Sequence, residues 1–217
     1  MAKYFLNILK KLLFFFFRFK EKIFVFFFNP FLPIKVYSYI PNKQNITFPV
    51  KIGRNVKLNA ITLVEQYVSI NDNCTIFENV KKIGKFCSIS DFCYLGIENH
   101  PTKLISTHSM FYTNNWGYNF FDKNYKINKT TILEEDVWLG YNVKIMAGCT
   151  IGRGSIIGAG SFVNKNVPKY SVWAGSPAKQ ISKRFNSRQI NFLEKSKWWI
   201  KSPVEIKDLY KKFNNFS

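Results

Sequence analysis

The 217-residue chain is 47% hydrophobic and 21% charged, a globular balance that excludes both a disordered and a collagen-like polypeptide. Its formal charge of +19 is concentrated at the ends: residues 1–45 hold eight Lys/Arg against one acid, and residues 182–217 hold nine against three. No helix-turn-helix, zinc or RNP-like pattern accompanies that charge, which sets nucleic-acid binding aside, and part of it follows from a composition heavy in Lys, Asn, Ile and Phe.

Residues 4–28, YFLNILKKLLFFFFRFKEKIFVFFF, contain no charge-free run longer than six residues, against the roughly 20 needed to span a bilayer. Drawn as a helix, the segment gathers Lys3, Asn7, Lys10, Lys11, Arg18, Glu21 and Lys22 within an arc of about 120°, with Phe and Leu filling the rest. Such an amphipathic N-terminal helix, residues 1–28, suits either a membrane interface or a cap over the end of a folded core. Asn29-Pro30 and Pro33 end it, and residues 29–45 read as a connector. No small-residue cleavage site follows the apolar start. The expected location is the cytoplasm, with peripheral contact at the inner face of the membrane.

From residue 46 the chain acquires a beat of six. Ile46, Ile52, Leu58, Val64, Ile70 and Ile76 are evenly spaced, one extra residue enters near Lys82, and Ile83, Ile89 and Leu95 continue. After a gap the series returns as Ile127, Leu133, Leu139, Ile145, Ile151, Ile157 and Val163. Four positions after each aliphatic stands a small or β-branched residue, and Cys74, Cys87, Cys93 and Cys149 all fall in that slot. A period of six fits neither a helix nor plain strand alternation. It suits a short flat strand plus a tight turn, three units closing a triangular coil and stacked coils sharing one core: an all-β solenoid of hexapeptide repeats. The cysteines are then packing groups, neither metal ligands nor nucleophiles.

The units [LIV]-G-x-x-[small]-x and the block VWLGYNVKIMAGCTIGRGSIIGAGSFVNKNVPKYSVWAGSPAKQISKRF, residues 137–185, resemble the hexapeptide-repeat acetyltransferases. The stretch LEKSKWWIKSPVEIKDL, residues 193–209, is similar to the double-Trp tail of their xenobiotic branch. The resemblance implies a left-handed parallel β-helix over residues 46–181 with an excursion loop at 101–126. It also implies acetyl-CoA as co-substrate without a metal, and a homotrimer whose active sites lie between subunits.

The beat fails between Leu95 and Ile127, and residues 95–112, LGIENHPTKLISTHSMFY, carry both histidines of the chain. An excursion from a rigid coil is a natural seat of function. In the family this chain resembles, an Asn-His motif opens the loop and its His is the general base, which assigns catalysis to His100. Asn99, His108 and Lys103 follow as substrate contacts. A sugar hydroxyl is a poor nucleophile, and an imidazole is suited to take its proton and return it to the departing thiolate. Pro101-Thr102-Lys103 stands where the family has Arg and Asp, leaving Glu98 and Asp91 as nearby carboxylates to orient the ring. Two histidines in one loop do not supply the three ligands of a carbonic-anhydrase-type metal site.

For the donor, the resemblance assigns Trp138 and Gly140 to the thioester end. It assigns Gly158, Ala159 and Ser161 to amide pairing with the pantetheine arm, and Lys179 with Lys165 to the phosphates. Beyond the coil, residues 182–217 read as a helical tail split by Pro203 and packed against it. The reading that follows is an O-acetyltransferase acting on a hydroxyl of a bacterial surface polysaccharide or its precursor. The alternatives are a chloramphenicol or streptogramin acetyltransferase and a non-catalytic β-helix scaffold.

Overall fold

The computed structural model describes residues 35–36, 45–59, 61–113, 117 and 129–214. The helix expected at 1–28, most of the connector and Ile127 lie outside the described residues.

The six-residue beat becomes a triangular prism of parallel strands. The first face holds Lys35–Val36, Lys51–Ile52, Ser69–Ile70, Ser88–Ile89, Trp138–Leu139, Ile156–Ile157 and Ser171–Gly175, with Ala178–Lys183 added antiparallel at the end. The second holds Lys57–Leu58, Thr75–Ile76, Tyr94–Ile97, Lys144–Met146 and Phe162–Val163. The third holds Leu63–Val64, Val80–Ile83, Thr131–Leu133 and Thr150–Ile151. The chain visits first, second and third face in turn, and each strand pairs with the one a full coil away.

In almost every two-residue strand the second side chain points inward. Ile52, Leu58, Val64, Ile70, Ile76, Ile89, Leu139, Ile151, Ile157 and Val163 are all buried. The small slot closes the corners: Val56, Thr62, Val68, Cys74, Cys87, Cys93, Val137, Val143, Cys149, Ser155 and Ser161 are buried too. A larger residue there would collide with the backbone turning onto the next face. Burial pushes the Cys87 and Cys149 thiols above their ordinary range, as suits packing groups.

The extra residue near Lys82 is a bulge. Leu63 pairs with Lys82 and Val64 with Ile83, while Thr131 pairs with Val80, so the register slips around Lys81 without moving Val80 or Ile83 out of the core.

The residue before most of the small slots adopts positive φ, and Asn or Gly there accords with turn chemistry, as at Asn55, Asn73 and Asn142. Tyr67, Phe86, Phe92 and Tyr170 occupy the same left-handed position, at a strain of about 1 kcal/mol or more each. Packing offsets three of them. Tyr67 stacks on Phe86 at 5.0 Å, Phe86 meets Trp198 at 5.0 Å, and Tyr170 is buried beside Phe185.

That stack runs along the edge between the third and first faces, and the tail docks on it. Helix α1, Ser187–Ser196, starts with a capping box between Asn186 and Gln189 and ends at Lys197, which has left-handed geometry. Pro203 opens α2, Pro203–Asn214, after a 3₁₀ turn at Trp198–Ile200. Glu194 of α1 accepts from Tyr170 and pairs with Arg153 and Lys169. Arg153 reaches from there to Glu135, with its guanidinium carbon 3.5 Å from the centre of a Trp199 ring. The antiparallel strand that closes the first face extends to Lys183.

Candidate active site

The excursion leaves the prism where strand Tyr94–Ile97 ends, on the edge between the second and third faces. Two devices fix its departure. Buried Asn79 donates its amide to the Gly96 carbonyl at 2.8 Å and to Glu98 Oε1 at 3.1 Å, while the Ala147 amide of the next coil donates to the Ile97 carbonyl at 2.8 Å. Gly96 has φ +83, and a β-carbon there would run into Asn79 Oδ1 and lie 2.8 Å from Val80 Cγ2. Gly96→Ala is therefore expected to destabilise the protein by at least about 1 kcal/mol in urea unfolding, and to lower activity further because the loop is rooted at this residue. An unchanged midpoint would contradict this account of the root.

His100 stands exposed beyond that root. Its Nδ1 lies 2.7 Å from the Thr107 carbonyl oxygen and 3.0 Å from the Tyr112 hydroxyl. A carbonyl oxygen only accepts, so Nδ1 carries the hydrogen and Nε2 presents a bare lone pair. The oriented ring thus offers the basic nitrogen to a hydroxyl donor.

Neither carboxylate considered from sequence orients the ring. Glu98 is engaged by Asn79, and Asp91 accepts from the Asp72 amide at 3.1 Å on a different edge of the prism. A main-chain carbonyl does the work instead, and no side-chain pattern in the sequence could have signalled it. Asn99 and Lys103 are exposed in the same loop. His108 accepts from the Met110 amide at 3.2 Å as the N-cap of a 3₁₀ turn, Ser109–Phe111.

Most of the residues expected to hold the donor gather on the edge between the first and second faces. Trp138 points outward, half exposed, from strand Trp138–Leu139. Gly140 follows it, and a β-carbon at Gly140 would lie 2.6 Å from the Ala159 nitrogen of the coil above, so only glycine allows the two turns to stack this closely. Of the Gly158–Ser161 amides, three are consumed within the coil: Gly158 donates to Trp173, Gly160 to Tyr141 and Ser161 to Gly158. The exposed Ala159 amide donates to no group among the described residues.

Ser161 lies buried in the small slot, and its amide, expected to pair with the donor, is the one taken by Gly158. Its buried hydroxyl donates to the Gly158 carbonyl at 2.6 Å and accepts from the Gly175 amide at 3.1 Å, pinning the turn from inside. Lys179 pairs across the hairpin with Ala174, whose methyl faces Gly158, so it borders the same edge. Lys165 does not join them. It follows strand Phe162–Val163 on the excursion's own edge, its Nζ 5.3 Å from the centre of the Trp173 ring.

One chain therefore places its imidazole and its glycine-lined edge on opposite sides of the five-stranded face. Among the described residues no group of three or more His, Cys, Asp or Glu could hold a metal ion, and no helix is long and apolar enough to cross a membrane.

The family described as bacterial transferase hexapeptide (six repeats) matches residues 130–165. A protein of Lysinibacillus sphaericus named probable macrolide acetyltransferase is 40% identical over 139 residues, covering 58% of this chain and 72% of that one. A chloramphenicol acetyltransferase of Klebsiella aerogenes is 34% identical over 129 residues, covering 58% of this chain and 61% of its own length. Among solved structures, a hexapeptide-repeat-containing acetyltransferase from Vibrio cholerae O1 biovar eltor, complexed with acetyl coenzyme A, superposes with a TM-score of 0.53. It is 22% identical and covers 65% of this chain and 72% of that one, a likeness of fold.

Proposed function

The chain belongs to the hexapeptide-repeat acetyltransferases, built on a left-handed parallel β-helix, and from that membership we propose that it moves an acetyl group from acetyl-CoA to a hydroxyl acceptor with His100 as general base. The observation that carries this reading is the exposed His100 ring, whose Nδ1 is held by the Thr107 carbonyl so that Nε2 is left bare.

In the proposed reaction the acceptor O–H lies against His100 Nε2. As the oxygen attacks the thioester carbonyl carbon, its proton passes to Nε2. The tetrahedral intermediate collapses with cleavage of the C–S bond, and the departing sulfur takes the proton back. Ester and free thiol leave, and the imidazole returns to its starting form. The Ala159 amide pairs with a pantetheine carbonyl along the Gly140–Gly158 edge, Trp138 borders the thioester, and Lys179 faces the phosphates.

Because the base and the donor edge lie on opposite sides of one face, a second copy completes the site. A closed threefold ring sets the loop of one subunit against the donor edge of the next, giving three equivalent sites.

The preferred acceptor is a sugar hydroxyl of a surface polysaccharide or its lipid-linked precursor, met at the inner membrane face. Asn99, Lys103 and His108 line its approach. A second reading, acetylation of a macrolide or chloramphenicol, is favoured by the 40% identity to the Lysinibacillus protein. Incubation of the purified protein with labelled acetyl-CoA and a panel of glycans, macrolides and chloramphenicol, read by thiol release and mass spectrometry, distinguishes them. Labelled glycan supports the first reading and labelled antibiotic replaces it with the second. Thiol release that stays flat with every acceptor would favour a non-catalytic scaffold.

A further inference from the structure

We infer that Tyr112 is a positioning residue for His100, and that the second imidazole of the chain, His108, holds Tyr112 in place by keeping the opposite tautomer. The inference rests on the reading of His100 as the base and extends it to groups that take no part in the proton transfer.

The Tyr112 hydroxyl lies 3.0 Å from the Nδ1 that already sits 2.7 Å from the Thr107 carbonyl. With the hydrogen on Nδ1, the phenolic oxygen is a second acceptor for the same N–H, a three-centre bond. The Tyr112 ring meets the imidazole edge-on, with centroids 5.9 Å apart and planes at 78°. Two acceptors and an aromatic edge leave the ring little freedom to rotate or to change tautomer. When Nε2 takes up the acceptor's proton, the charge that spreads onto Nδ1 meets two oxygen atoms rather than one. That performs the task a carboxylate would otherwise have.

Tyr112 reaches this place because residues 106–113 form a self-bonded unit. Ser106 Oγ accepts from the His108 amide at 3.1 Å, and His108 Nδ1 accepts from the Met110 amide at 3.2 Å. The Ser109 carbonyl accepts from the Tyr112 and Thr113 amides and from the Thr113 hydroxyl. To accept, His108 Nδ1 must be bare, so a neutral His108 carries its hydrogen on Nε2. The two histidines thus hold their protons on opposite nitrogens, His100 on Nδ1 and His108 on Nε2.

Because the chain has only these two histidines, imidazole-15N spectra of the full-length protein read both tautomers at once, with His108→Asn providing the assignment. The wild type is expected to show one ring of each tautomer. Tyr112→Phe keeps the ring and removes only the hydroxyl. It is expected to move the His100 signals toward a tautomer mixture, leave those of His108 in place, and lower kcat about tenfold with KM for acetyl-CoA within about twofold. His108→Asn retains a capping acceptor and is expected to leave the His100 signals in place, whereas His108→Ala moves them as Tyr112→Phe does. A wild-type His100 protonated on Nε2, or a Tyr112→Phe protein with unchanged spectrum and kcat, overturns the inference. Should His100→Ala retain turnover, the base reading fails by itself, and the Tyr112→Phe spectrum still decides whether Tyr112 positions the ring.

Discussion

Replacing His100 with alanine is expected to lower kcat by about 10²–10⁴-fold while leaving acetyl-CoA binding nearly intact. The split follows from where the residue sits. His100 stands exposed beyond the second–third edge of the prism, and the residues assigned to the donor, Lys165 apart, line the first–second edge. Deleting the imidazole removes the proton acceptor that makes the hydroxyl nucleophilic and takes nothing from the groove where the donor would lie. The coil should be unaffected as well, since the ring stands exposed in the loop and outside the hydrophobic core. Isothermal titration with acetyl-CoA and steady-state kinetics on one preparation separate the two effects. A variant that binds acetyl-CoA and still turns over at the wild-type rate would remove His100 from the chemistry.

Arg153→Leu is expected to give the largest loss of stability of any single surface-edge substitution, about 3 kcal/mol. The guanidinium side chain is 13% exposed and joins three parts of the fold: Glu135 at 2.8 Å, Glu194 of α1 at 2.8 Å, and the face of Trp199. Its removal leaves Glu135, at 9% exposure, with Lys82 as its remaining cation, and releases the tail from its anchor. Arg153→Lys keeps the charge but not the planar fork or the stacking, so an intermediate loss is expected. Urea unfolding followed by Trp fluorescence measures the effect, and proteolysis of the tail reports its release.

The same cluster sets an acid dependence. Burial pushes Glu135 and Glu194 up, but hydrogen bonds from Arg153, aided by Lys82 at Glu135 and by Tyr170 and Lys169 at Glu194, hold both carboxyls below the ordinary glutamate value of 4.5. Groups lowered in this way contribute their stability above the unfolded value and lose it as pH falls through the folded one. The gap between wild type and Arg153→Leu should accordingly be full near neutrality and shrink below about pH 4.5. A gap that stays constant into acid would mean the loss arises from packing alone.

The contrast between what the sequence announced and what it concealed is clearest at the loop. That the beat stops after Leu95, and that an Asn-His pair stands just beyond, is visible in the string of letters. What orients the imidazole is not, because the Thr107 carbonyl belongs to every residue type and leaves no trace in side-chain identity. Tyr112 is similarly silent. It stands twelve residues from His100 across an irregular loop, where sequence spacing predicts no contact, and the turn capped by His108 is what brings them together. At the donor edge the glycines and the place of Ser161 in the small slot were legible, but that the Ser161 amide is taken by the Gly158 carbonyl was not. The small slot that hides it is the one that hides the cysteines, and its neighbours Gly158 and Gly175 consume the hydroxyl.

By itself, the sequence determined the prism. A period of six with an aliphatic at one position and a small residue four later leaves one compact way to bury every apolar side chain, and the local pattern repeats often enough that no distant contact is needed to specify it. What meets at each corner follows from the folded coils alone. The tilt of the His100 ring depends on its loop folding back on itself. The anchoring of the tail through Arg153 and the close stacking of the Gly140 and Ala159 turns depend on groups from separate coils meeting within about 3 Å. Such meetings are fixed by how the coils stack, and no stretch of the chain encodes them locally.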